Sequence, residues 1–193
     1  MFPFVIAGVL FITLFAAGCS VGSAPKPGMS YTVMVDPNFT VYYLPDGSVN
    51  NVLLMPDILT ALDSWTALIP ALNLKVVIGK PTGAAQEIGL VAGTTEQQTA
   101  DSIQEHEDLA GWTTPNRDND SASIVLFGAA MRATATKYNI PWDTFAQMVV
   151  AHELGHAMGL FHTGTGTLMC ANPGCAVPAP TTLDVIQFQR VRQ

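Results

Sequence analysis

The chain has 193 residues, 49% hydrophobic and 12% charged, with 8 Lys+Arg against 15 Asp+Glu and a formal charge of -7. That length is one domain's worth and enough to bury a core, and a composition free of like-charge blocks and low-complexity tracts excludes the disordered and coiled-coil classes. The negative balance has the wrong sign for neutralising phosphates, so nucleic acid is excluded as a partner.

Phe2 to Ala17 reads FPFVIAGVLFITLFAA, and the first charged side chain is Lys26. A short apolar run ending in small residues is the pattern of an export signal. Its ending, Ala16-Ala17-Gly18-Cys19, resembles a bacterial lipobox, in which the cysteine receives a lipid and becomes the new N-terminus. The resemblance implies a signal peptide over 1–18, a lipidated Cys19, a tether over 19–30 and one domain over 31–193. A plain cleaved signal and an uncleaved anchor stay open, because Phe2 to Gly22 is long enough to span about 30 Å as a helix. Each alternative places the domain outside the cytoplasm: membrane-anchored on the outer side, or secreted.

Tyr31–Val35 and Thr40–Leu44 are β-branched and aromatic around Asp36-Pro37-Asn38, so they read as strands about a turn, with a further turn at Asp46-Gly47. Ile58, Leu59, Leu62, Trp65 and Leu68 recur at helical spacing after Pro56, and Pro70 stops the helix. Leu74–Ile78, Glu87–Val91 and Ser123–Phe127 read as strands, and the polar stretch Thr113 to Asp120 reads as a loop. His106, among acidic neighbours, reads as a solvated surface residue, and Trp112 as packing or as a lining of a cleft. Asp143 or Thr144 is expected to cap a helix whose apolar positions run into His152, and a last helix runs from Thr182 to about Val191. This order of elements implies an α+β fold, a mostly parallel or mixed sheet packed on its helices.

Residues 152 to 162 read His-Glu-Leu-Gly-His-Ala-Met-Gly-Leu-Phe-His, which holds three of the chain's four histidines. On a helix, His152 and His156 lie one above the other, spaced to bind one Zn²⁺. Glu153 sits beside the first ligand, where it can address a metal-bound water without occupying a coordination position. Gly159 can leave the helix with φ > 0, so that His162 approaches as a third ligand. Three ligands leave the fourth position for water, the mark of a catalytic rather than a structural zinc. The expected chemistry is amide hydrolysis, with Glu153 as base and later as acid. Because the ligand imidazoles must be neutral, metal is expected to leave towards and below about pH 6. Cys170 and Cys175 bracket Ala-Asn-Pro-Gly, a turn that can bring their sulfurs into a disulfide; the alternative is two free buried thiols.

These eleven residues resemble the signature of the metzincin zinc peptidases, H-E-x-x-H-x-x-G-x-x-H followed by a Met-turn. Thr163 after the third histidine, and Thr167-Leu168-Met169 as the Met-turn, are most similar to the matrixin branch. The resemblance implies a zincin-like catalytic domain: a twisted mixed sheet on an active-site helix, a C-terminal helix, and Met169 as the floor beneath the zinc histidines. It further implies an edge strand, placed at Ile124 to Phe127, that pairs with extended peptide. There is no counterpart of the His-containing loop that holds a second zinc in animal matrixins, nor a calcium-ligand loop, and no pro-segment is read between Cys19 and Tyr31. The chain is thus expected to be a zinc-dependent endopeptidase with one catalytic Zn²⁺, acting as a monomer on protein or peptide, held to the membrane by its lipid. A zinc-binding surface lipoprotein that acts as a non-catalytic binding module is the alternative.

Overall fold

The computed structural model describes residues 30–37, 42–43, 49–50, 55–93, 110–116 and 118–191. The expected signal, Cys19, its tether up to Met29, the turn at Asp46-Gly47 and His106 lie outside them, and Ser30, counted with the tether, is the first residue of the first strand. The elements in chain order are β1 (Ser30–Val35), β2 (Tyr42–Tyr43), β3 (Val49–Asn50), α1 (Met55–Leu68), β4 (Asn73–Ile78), β5 (Glu87–Ala92), β6 (Gly111–Asn116), β7 (Ser121–Leu126), α2 (Gly128–Lys137), α3 (Trp142–Ala157) and α4 (Thr182–Arg190). They make an α+β fold around a mixed five-stranded sheet of order β4-β1-β5-β7-β6, in which only β6 runs antiparallel to its neighbour. β2 does not join β1; it pairs with β3 in a separate two-stranded ribbon.

The period-2 pattern of the strands assigns the two faces of the sheet. Tyr31, Val33 and Val35 of β1, Ile88 and Leu90 of β5, and Ile124 and Leu126 of β7 are buried in one core with Ile58, Leu62 and Trp65 of α1 and Phe145 and Val150 of α3. Trp65 also donates its indole N–H to the Ala151 carbonyl at 2.9 Å, so α1 and α3 are joined by a polar contact inside that core. The intervening residues Val91, Trp112 and Val125 face the other way and pack with Phe127 and Ala130.

Four expectations change. The first half of the stretch Thr113 to Asp120, read as a loop, is strand: β6 covers Gly111–Asn116, with Pro115 inside it, and 118–120 form the turn before β7. A proline lacks the ladder N–H, so it is admitted on an edge strand, and there it hides the strand from a pattern search. The segment Ile124 to Phe127 is consequently not the edge; β7 lies between β5 and β6. α2 was not expected at all, because Gly-Ala-Ala-Met-Arg-Ala-Thr-Ala-Thr-Lys has only one large apolar side chain. Neither Asp143 nor Thr144 caps α3. Pro141 stands at the N-cap with φ -54, and Asp143 lies in the first turn, where its charge favours the positive end of the helix.

Candidate metal centre

α3 carries the apolar face of the core and the first two histidines on one rod. It ends where Gly159 adopts φ +91. The Gly159 N–H bonds to the His156 carbonyl and the Leu160 N–H to the Gly155 carbonyl, each at 2.9 Å, the paired bonds of a Schellman motif. This left-handed turn reverses the chain and brings His162 back to the helix. A side chain at 159 would be strained there, which accounts for the glycine.

The three Nε2 atoms converge: His156 to His152 3.1 Å, His156 to His162 3.1 Å, and His152 to His162 3.3 Å. His152 Nδ1 lies 2.8 Å from the Leu168 carbonyl and His156 Nδ1 2.8 Å from the Leu160 carbonyl. A carbonyl only accepts, so both Nδ1 atoms carry the proton and both Nε2 atoms present lone pairs. These two lone pairs and the His162 ring nitrogen face a common point, an arrangement that one cation can bridge. The three residues are close enough to hold one metal ion.

Burial disfavours charge on all three rings. It lowers His152 to about 4, holds His156 well below the usual imidazole range, and lowers His162. The neutral ring is the ligand, so protons compete with metal only below these depressed values, not at the ordinary value near 6.5. Metal content measured across a pH series is expected to hold at pH 6.5 and to be lost on acidification towards about pH 4, where His152 takes up a proton; half-loss at pH 6.5 would contradict this.

Glu153 is buried, and its Oε2 accepts a 2.6 Å hydrogen bond from the Thr113 hydroxyl of β6. Desolvation raises its carboxyl to about 7, against the opposing effect of that hydrogen bond. A carboxyl poised there can exchange a proton in either direction near neutral pH.

Met169 is fully buried against the histidines' helix, close to Gly155: a Cβ at Gly155 would collide with the Met169 sulfur. The Met169 turn is tied to the segment after the third histidine by Thr163 N–H to the Met169 carbonyl at 2.7 Å. It is tied to α4 by Asp184, whose fully buried carboxylate accepts from the Leu168 and Met169 N–H groups at 3.1 and 3.2 Å. The same carboxylate accepts from the N–H and hydroxyl of Thr181, both at 2.7 Å, closing the capping box that starts α4. Cys170 and Cys175 are joined by a disulfide with Cα atoms 6.0 Å apart, directly after Met169.

The fold thus gathers His152, Glu153, His156, Gly159, His162, Met169 and the disulfide in one region. Trp112 is directed to the opposite side of β6 from Thr113 and bonds its indole N–H to the Thr114 hydroxyl. Thr113, Gly155 and Asp184 are participants that the pattern of the sequence does not single out. Asp184, three residues after Thr181 at a helix start, carries a local signal for the cap but none for its reach to Leu168 and Met169.

No family model matches the chain, and no curated protein matches it. Among solved structures, it is similar to a chain of the GM1-bound form of the ECX AB5 holotoxin, with TM-score 0.58 and 11% identity over 90% of this chain and 88% of that one. At that identity the likeness is one of fold.

Proposed function

We propose that the chain is a zinc-dependent endopeptidase of the metzincin type, nearest the matrixin branch. The observation that carries this reading is the triangle of imidazole nitrogens with sides of 3.1 to 3.3 Å beside a buried carboxylate. Tetrahedral Zn–N bonds of about 2.0–2.1 Å require nitrogens roughly 3.3 Å apart, so His152, His156 and His162 fit one Zn²⁺ with a fourth position left for chemistry. The carbonyl partners of His152 and His156 are the outer-shell acceptors that such ligands need. The left-handed Gly159, the buried Met169 and the antiparallel edge strand support the same type. The edge that would receive an extended peptide is β6, not the segment Ile124 to Phe127.

When bound, the ion supplies Lewis acidity, lowering the pKa of a water and polarising the carbonyl under attack. Glu153 does the proton work. Its carboxylate accepts a proton as the water oxygen bonds to the carbonyl carbon, and returns it to the amide nitrogen as the C–N bond breaks. One water is consumed, and an acid and an amine leave. The buried setting keeps bulk water from levelling the carboxylate's basicity. Hydrolysis of casein or a quenched peptide library by the purified chain tests this, and the cleavage profile would define the substrate; a zinc-loaded chain that hydrolyses nothing would instead be the non-catalytic binding lipoprotein.

We also propose, from the sequence of residues 1–30, that the mature chain begins at lipidated Cys19 and is held to a membrane outside the cytoplasm. No helix among the described residues is long and apolar enough to cross a membrane. Intact-mass spectrometry of the membrane fraction is expected to find acyl chains on a product lacking 1–18. A product lacking both would mean a secreted form, and retention of Met1 an uncleaved anchor.

A further inference from the structure

The inner face of β6 is shaped around one carboxylate. Gly111 and Thr113 are two residues apart on the strand, so both point to the same face, and both are buried. A Cβ at Gly111 would sit 2.9 Å from Glu153 Cγ and 2.9 Å from Oε1, so any side chain there would displace the carboxylate. Two positions along, the Thr113 hydroxyl reaches Oε2 at 2.6 Å and the Glu153 carbonyl at 3.1 Å. It has one proton, and both acceptors in reach belong to Glu153. Among the described residues, that is the side-chain hydrogen bond the carboxylate makes.

We propose that Thr113 is a positioning residue for Glu153: its hydroxyl pins Oε2, and the missing side chain at Gly111 leaves the place that Oε1, the oxygen that takes and returns the proton, occupies. The two oxygens then have different tasks. Without the pin, the carboxylate turns more freely about its terminal torsion, which is a broad one, and the working oxygen is in place for a smaller fraction of encounters. Thr113 acts through Glu153 and need not touch substrate. This inference rests on the peptidase reading for its kinetic consequence, but not for its geometric one.

The test uses the zinc-loaded full chain, with Thr113→Val, which keeps the shape and removes the proton, and Thr113→Ser, which keeps the proton. Thr113→Val is expected to retain one zinc per chain and to lose about 10–100-fold in kcat on a quenched peptide, with KM within about twofold of the parent. Thr113→Ser should stay within about threefold. Crystal structures of both variants supply a readout independent of turnover, with the carboxylate in its parental place in Thr113→Ser and rotated or split in Thr113→Val. If the parent hydrolyses no peptide, the peptidase reading fails, and the crystal structures still decide the geometry. An unmoved carboxylate in Thr113→Val, a kcat within twofold of the parent, or a Thr113→Ser as impaired as Thr113→Val would overturn the inference.

Discussion

Glu153→Gln is expected to keep the zinc and the fold while losing about 10²–10⁴-fold in peptide hydrolysis, the range that one positioned acid–base group contributes. The amide fills the same buried space and its oxygen can still accept the Thr113 hydroxyl at 2.6 Å, so no cavity is created and Thr113 keeps its acceptor. What disappears is the ability to hold a proton. Burial pushes the Glu153 carboxyl up to about 7, so near neutral pH it is available both as carboxylate for the attack and as acid for the departure. Glutamine is neither. Zinc content should match the parent, since the three ligands and their carbonyl acceptors are untouched. A variant that cleaved peptide within tenfold of the parent rate would assign the proton to another group.

Asp184→Ala is expected to be the most damaging change outside the site. It deletes an acceptor from four donors at once, two of them main-chain N–H groups in the Met169 turn, and leaves them buried. Hydrogen bonds to a charged group are worth about 1.5–3 kcal/mol each and are not additive, so a loss of about 3 kcal/mol or more is expected in urea unfolding. The effect should reach the metal. The Leu168 carbonyl that holds His152 Nδ1 belongs to the peptide segment that Asp184 fixes, and loss of such an outer-shell support typically costs about 10–100-fold in metal affinity. Competition with a zinc-binding dye measures this. Unchanged affinity would mean that the turn holds its place without α4.

The three converging histidines were legible because their placement is local: His152, His156 and His162 fall within one helix and the turn that ends it, and spacing alone predicts their convergence. The helix α1 and most of the sheet were legible for the same reason, through periodicity. Thr113 was not. It sits 40 residues from Glu153 in a polar run containing Pro115, and only the antiparallel register of β6 on β7 turns it inward. Asp184 likewise reads as a helix cap, and its reach to Leu168 and Met169 depends on how α4 returns to the site. The edge strand was misplaced because β6 went unread, and a missing strand shifts every assignment of what lies at the margin of a sheet. α2 escaped because alanine and threonine form a helix here through packing of Ala130, Met131 and Ala135 rather than through an apolar stripe.

The most direct measurement takes one purified sample and follows its zinc content and its hydrolysis of a quenched peptide together, before chelation, after it, and after zinc is returned. One zinc per chain, hydrolysis lost with the metal, and hydrolysis restored with it are the expected results. Full hydrolysis by metal-free protein would contradict the assignment of His152, His156 and His162 as the ligands of a catalytic ion.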